Sequence, residues 1–382
     1  MSKSYYSLGL MSGTSMDGVD ASVIQTDGKS KYKAILDKYF EYPQAIYKHL
    51  TKLRDKVKSS RDLKKYSSEI KNVKKEITLF HAKAVNQIFK KTKANVDFIG
   101  FHGQTIYHNA EEKISEQLGD GKLLSEITKK TVVYDFRQND LKNGGEGAPL
   151  TPIFHKMLAK KFNVKPAIFF NIGGILNRTL IWENGGLGAK DVGPGMCLVD
   201  KWIRINSKKK YDKNGDIAKS GKVNDQILNK YVNLPILDKF GPWGTSSFDI
   251  NDFDISIAKN LSFKDGVATL TSFTANFFRG HFETNADFKD LSKAKTILCG
   301  GGRKNKFLVN LIRSYNKTSF KNSKYQSQNI KLIDDYGIDG DFVESQAFAY
   351  LAVRSYLKLP ISFPATTGCK KPTTGGKIIK FK

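Results

Sequence analysis

Two distant stretches of this chain repeat one plan, a strand, a glycine-rich turn and a strand that comes straight back. Tyr5 to Leu10 reads as the first strand, Gly9-Leu-Met-Ser-Gly-Thr-Ser-Met-Asp-Gly18 as its turn, and Val19 to Thr26 as the return. Ala167 to Asn171, the turn at Gly173-Gly174, and Leu176 to Trp182 echo it. Two strands joined by a tight turn make a hairpin. A dinucleotide-binding start needs strand, glycine loop and then helix, so it is excluded. With 382 residues the chain exceeds the usual single core, and a repeated plan then points to two similar α/β domains.

Further elements surround the hairpins. Lys33 to Tyr42 reads as a third strand. Ile70, Val73, Ile77, Phe80, Ala84 and Ile88 recur at steps of three and four and place one apolar stripe on a helix. Val96 to Phe101 reads as a buried strand ending in His102-Gly-Gln-Thr105, and Thr131 to Tyr134 as another ending in Asp135-Phe-Arg-Gln-Asn-Asp140. Strand ends are where open α/β sheets keep their ligands. Thr296 to Cys299 runs into Gly300-Gly-Gly302 and a helix from about Asn305. Ile330 to Ile333 is a strand, Phe342 to Leu357 an Ala-rich helix, and the tail from Leu359 a packed loop.

The formal charge of +26 raises the question of a nucleic-acid partner. The basic residues are 54 Lys and only nine Arg, whereas base readout favours the arginine fork. Half of the excess falls in residues 29 to 96, on faces that read as solvated helix. A lysine-rich solvated surface is therefore expected, with no specific nucleic-acid site. Cys197, Cys299 and Cys369 are far apart, so neither a disulfide framework nor a zinc site is indicated, and a reducing compartment fits. No run approaches the length of a membrane helix, and Met1 to Tyr6 lacks a signal-peptide core.

The chemistry concentrates in three glycine turns at strand ends. Glycine lets backbone N–H groups approach phosphate oxygens with no Cβ between them. Thr14 and Ser15 add hydroxyls. Asp17 and Asp20 add carboxylates, which make sense beside phosphates only with a cation between them. Each turn alone could be an ordinary hairpin. The three together favour a nucleotide cleft between two similar domains. Asp191, ahead of Gly193-Pro-Gly195, is either a turn-forming Asp that bonds its own backbone or a base for water.

These motifs carry a resemblance. Gly9 to Asp20 is similar to the signature of the anhydro-N-acetylmuramic acid kinases, and further matches follow in order. They are His102 to Thr105, Asp135-Phe-Arg137 with Asp140, Gly144 to Leu150, Asn171 to Asn177, Asp191 to Gly195, Cys299 to Asn305, Glu344, and Pro364 to Gly368. The resemblance implies two actin-like (ribonuclease H-like) domains flanking an ATP cleft, residues 1–143 with 358–382 and residues 144–357. It implies that ATP phosphates meet Gly13, Thr14, Ser15, Met16, Asp17, Gly18, Val19, Asp20, Gly173 and Gly174, and that Mg²⁺ sits near Asp17 and Asp20. The nucleoside would lie near Gly300, Gly301 and Gly302, and the amino sugar on His102, Gln104, Thr105, Arg137 and Asp140. Asp191 matches the catalytic base and Glu344 an acidic residue near the phosphates. A cytoplasmic homodimer acting in peptidoglycan-sugar recycling is implied as well.

Two departures stand out. Met196 replaces an Asn common in relatives, and Gly241-Pro-Trp-Gly-Thr-Ser-Ser-Phe-Asp249 lacks the Lys of a Pro-Pro-Lys-Ser run. Rival expectations are another sugar kinase of the same superfold, or a non-catalytic actin-like or nucleic-acid-binding protein.

Overall fold

Twelve strands form among the described residues, which in this computed structural model are 3–234, 248, 253–285, 293–319, 321 and 329–381. They are β1 (Tyr5–Ser12), β2 (Gly18–Thr26), β3 (Tyr32–Glu41), β4 (Phe98–Asn109), β5 (Ile114–Leu118), β6 (Thr131–Tyr134), β7 (Ala167–Ile172), β8 (Ile175–Ile181), β9 (Leu187–Pro194), β10 (Lys295–Cys299), β11 (Ile330–Leu332) and β12 (Lys377–Ile379). They make two sheets, ordered β12-β6-β4-β1-β2-β3, with β5 on β4, and β11-β10-β7-β8-β9. Each sheet contains an antiparallel meander, β1-β2-β3 or β7-β8-β9, whose first strand pairs in parallel with a later one, β4 or β10. The echo read in the sequence is thus a repeat of topology in a mixed α/β chain.

The first sheet is buried on both faces at its centre, as parallel pairing requires. Leu8, Leu10, Ile99 and Phe101 pack with Ile70, Val73, Ile77, Ala84 and Ile88 of the helix Ser67–Lys91. On the opposite face lies the helix Val343–Tyr356, close enough to exclude side chains. A Cβ on Gly9 would stand 1.8 Å from the Ser345 carbonyl oxygen, and one on Gly100 2.2 Å from that of Phe348. Gly9 and Gly100 are register partners across β1 and β4. This pair seats the helix, so Gly9 belongs to the strand and not to the turn that follows it. In the second sheet Phe170, Ile172, Leu176 and Val192 pack against Leu270, Phe273 and Phe278 of the helix Phe263–Asn285.

The chain divides into two compact units, residues 1–162 with 341–382 and residues 163–340. These bounds differ from the expected 1–143 with 358–382 and 144–357. The Val343–Tyr356 helix lies on β1, β2 and β4. The Pro152–Lys161 helix joins it through Phe154, whose ring stands 5.5 Å from Tyr32 and 5.6 Å from Tyr350. The tail also differs from a plain loop. Lys377–Ile379 adds the edge strand β12 beside β6, and Ser362 bridges Thr373. No helix among the described residues is long and apolar enough to cross a membrane.

Candidate active site

In the first unit the turn after β1 is pinned from behind. Ser12 closes β1, and its hydroxyl lies 2.8 Å from the Tyr42 hydroxyl and 3.2 Å from Nε2 of His81. His81 donates from Nδ1 to the Ile77 carbonyl at 2.8 Å, which leaves Nε2 as acceptor. Burial holds this imidazole at about 4 and pushes the Tyr42 phenol well above its ordinary value, so both stay neutral and the relay runs Tyr42 to Ser12 to His81. The Tyr42 N–H also donates to the Asp17 carbonyl at 2.8 Å, and Gln104 Nε2 to that of Gly13 at 2.9 Å.

Held this way, the turn exposes Thr14 and Ser15, and Ser15 donates to Asp17 at 2.5 Å. A Cβ on Gly13 would meet nothing nearer than Ser15 Oγ at 3.9 Å, so the backbone is open to a ligand there. Met16 and Val19 turn their side chains into the core and offer only backbone. Gly18 and Asp20 sit in β2, Asp20 half-buried.

His102-Gly-Gln-Thr105 does not end β4. The strand continues to Asn109 and folds back into β5. The motif instead marks where β4 leaves its parallel partner β6, whose last pair is Phe101 with Tyr134. Gly103, at φ +75°, makes that break with its Cα against the Leu118 carbonyl, where a side chain could not fit. His102 donates from Nδ1 to the Gly103 carbonyl at 2.8 Å and accepts on Nε2 from Arg137, at 3.0 Å from Nη2. Burial and then the Arg137 charge push this imidazole down to about 3, so it stays a neutral acceptor.

Arg137 Nη1 donates to the Gly147 carbonyl at 2.9 Å, and the Gly147 N–H donates to Asp140 at 2.7 Å. The other Asp140 oxygen accepts from Thr367 at 2.7 Å. Asp140 is 1 % exposed and therefore fixes the loop that fixes Arg137. Thr105 stands aside and accepts from Gln117 at 3.3 Å. Glu344 lies in the first turn of the Val343–Tyr356 helix, half-buried.

The second unit carries the remaining turns. Gly173-Gly174 joins β7 to β8, and its carbonyls accept from Met196 N–H at 2.8 Å and Gly195 N–H at 2.9 Å. Met196 thus serves through its backbone while its side chain enters the core, which a departure from Asn leaves intact. Gly300, at φ +78°, lies beside the end of β7, and a Cβ on Gly301 would meet nothing within 4 Å. Arg303, within the Cys299 to Asn305 motif but given no role by the sequence, is 3 % exposed. It donates to the Gly300 carbonyl at 3.0 Å and is clamped by Asp334 at 2.6 and 2.8 Å and Asp339 at 3.0 Å.

Asp191 lies inside β9, not at a turn. The register shifts beside it, so that Leu176 pairs with Gly193 and Asn177 with Asp191. This bulge aims the carboxylate, which is 5 % exposed and accepts from the Phe248 N–H at 2.9 Å. Apart from Phe248, the departing segment 241–249 lies outside the described residues.

The family model described as anhydro-N-acetylmuramic acid kinase matches residues 5–380. The chain belongs to the anhydro-N-acetylmuramic acid kinase family. It is 51 % identical over 383 residues to the anhydro-N-acetylmuramic acid kinase of Pelagibacter ubique, covering all of both chains. It is 36 % identical over 379 residues to that of Agrobacterium fabrum, covering 98 % of each. The match to the family thus runs along nearly the whole chain.

Proposed function

We propose that this chain is an ATP-dependent kinase that opens 1,6-anhydro-N-acetylmuramic acid with water and phosphorylates O6, giving N-acetylmuramic acid 6-phosphate and ADP. The observation that carries the reading is the buried Asp191 carboxylate, held on a strand bulge in a chain half identical to a named kinase of this kind. Its two units are read as actin-like domains, and the protein as a cytoplasmic homodimer in cell-wall sugar recycling. The excess of lysine is read as solvated surface, without a nucleic-acid site.

The residues present fit a nucleotide. Gly13 and Gly301 leave their backbone open where a Cβ would meet nothing close. Asn171 Oδ1, beside Gly300, is buried without a hydrogen-bond partner. They also fit Mg²⁺, which takes one or two carboxylates and completes its shell with phosphate and water. Asp17 and Asp20 would supply them, and no larger cluster of ligating side chains exists among the described residues. When bound, ATP with its metal supplies the phosphoryl group that captures O6 as its bond to C1 opens.

The sugar has no hydroxyl at O6, because O6 is locked in the bridge to C1. Asp191 therefore acts toward water, taking its proton while the oxygen attacks C1. This is inverting glycoside opening in which phosphorus stands where an acid's proton would be. Arg137 offers a fixed guanidinium suited to the lactyl carboxylate, since His102, Gly147 and Asp140 set its plane. Gln104, tied to Gly13, and Thr105 complete the sugar side, and Glu344 stands toward the phosphates. A turnover panel tests the reading: ADP release is expected with 1,6-anhydro-N-acetylmuramic acid and not with N-acetylglucosamine or glucose. Equal turnover of a free 6-hydroxyl sugar would assign the chain to another branch of sugar kinases.

A further inference from the structure

Register and alternation in the second sheet place polar side chains in one row. Cys299 of β10 pairs with Asn171 of β7, Asn171 with Asn177 of β8, and Asn177 with Asp191 of β9. Side chains of directly paired residues share a face and stand roughly 5 Å apart. The neighbouring row belongs to the other face. There Phe170, Leu176 and Val192 enter the core, and Arg178 meets His281 of the Phe263–Asn285 helix. Thus the face away from that helix carries two carboxamides in line with the catalytic carboxylate.

An apolar strand face has no structural need for this row. Asn171 is 4 % exposed, and its Oδ1 is buried with no hydrogen-bond partner, a cost that a purely structural residue would avoid. Asn177 is half-buried, with its amide next in line toward Asp191. A water with two acceptors beside it is oriented: one O–H points to each acceptor, and a lone pair remains directed at the electrophile. Asp191 is one acceptor. A carboxamide oxygen is a fitting second one, because it is neutral and does not compete for the proton.

We propose that Asn177 is a further catalytic residue, whose side-chain oxygen holds the attacking water against Asp191. Asn171 Oδ1 stands at Gly300, on the β10 side of the row, and is left to the nucleotide. As C1 is attacked, one water proton passes to Asp191, the C1–O6 bond breaks, and O6 takes the phosphoryl group. The second proton stays on the new C1 hydroxyl, still bonded to Asn177. The inference rests on the proposed role of Asp191 and deepens it.

Steady-state kinetics on the full chain test it with two Asn177 variants and Asp191→Asn as reference. Asn177→Ala is expected to lower kcat about 100-fold, the cost of a misplaced nucleophile, with both KM values within about threefold. Asn177→Asp sets a second carboxylate beside Asp191, and like charges oppose ionisation. The acid limb of its kcat profile is expected to move up by about one pH unit or more, which a merely structural residue would not cause. Should the alanine variant not fold, the aspartate profile alone decides. An active Asp191→Asn would overturn the underlying reading of the base. An inactive Asp191→Asn, with Asn177→Ala within threefold of wild type or an unmoved acid limb in Asn177→Asp, would overturn the role of Asn177 alone.

Discussion

Asp191→Asn is expected to lose ring opening and phosphorylation together, with kcat down about 10³-fold or more, within the range a positioned general base supplies. The fold should be untouched. An asparagine carbonyl oxygen can still accept from the Phe248 N–H that now holds Asp191 at 2.9 Å, and the side-chain volume hardly changes. Binding should survive as well, since the substitution leaves Arg137 and the turns at Gly13 and Gly173-Gly174 unchanged. KM values within about threefold of wild type are therefore expected. A variant that opens the bridge without phosphorylating it would separate the two events. One that keeps a tenth of wild-type kcat would remove Asp191 from the role of base.

Acid should unfold the first unit before the second. His81, His102, His108 and His155 of the unit 1–162 with 341–382 are held by burial at about 4, 3, 3 and 3, with the Arg137 charge adding to the effect on His102 and His108. The unit 163–340 has one such group, His281, lowered by burial and then by Arg178 and Lys190. A histidine lowered in the folded state binds its proton only after unfolding. Its contribution is complete above the ordinary value near 6.5 and is lost as pH falls toward the folded value.

Each proton costs about 1.4 kcal/mol per pH unit, so the first unit loses roughly 5–6 kcal/mol per unit below pH 6 and the second about 1.4. Against a stability of about 5–15 kcal/mol, the first unit should melt near pH 4.5. All three Trp, at positions 182, 202 and 243, belong to the residues 163–340. Far-ultraviolet ellipticity should therefore fall at a higher pH than the change in tryptophan emission. Full ellipticity at pH 4 would contradict the account.

The sequence made the hairpins and glycine turns legible because their signals are local. Apolar runs flank Gly13 and Gly173, and no helix-forming stretch follows either turn. Long-range facts were not legible. Gly103 looks like a strand end, yet β4 passes through it, because the pairing lost to β6 is replaced by β5 a few residues on. The Lys377-Ile-Ile379 edge strand is too short and too basic to stand out from the tail. Ser12, Tyr42 and His81 are 30 and 69 residues apart, and only the packing of β1 against the Ser67–Lys91 helix joins them. The Asn171–Asn177–Asp191 row likewise exists only through strand register, where a one-residue slip would turn each side chain to the other face. The domain bounds moved for a related reason. Two glycines, Gly9 and Gly100, decide where the Val343–Tyr356 helix can lie, and their meaning depends on pairing across 91 residues.

The coupled reaction itself is tested most directly by following the wild-type enzyme by NMR in ¹⁸O water at early times, before the sugar's anomers equilibrate. The bridge oxygen occupies the β face, so water that attacks C1 from the opposite side must give the α anomer first. The label should appear at O1 of N-acetylmuramic acid 6-phosphate and nowhere in its phosphate. Label in the phosphate, or a β anomer as the first product, would contradict water activation by Asp191 at C1.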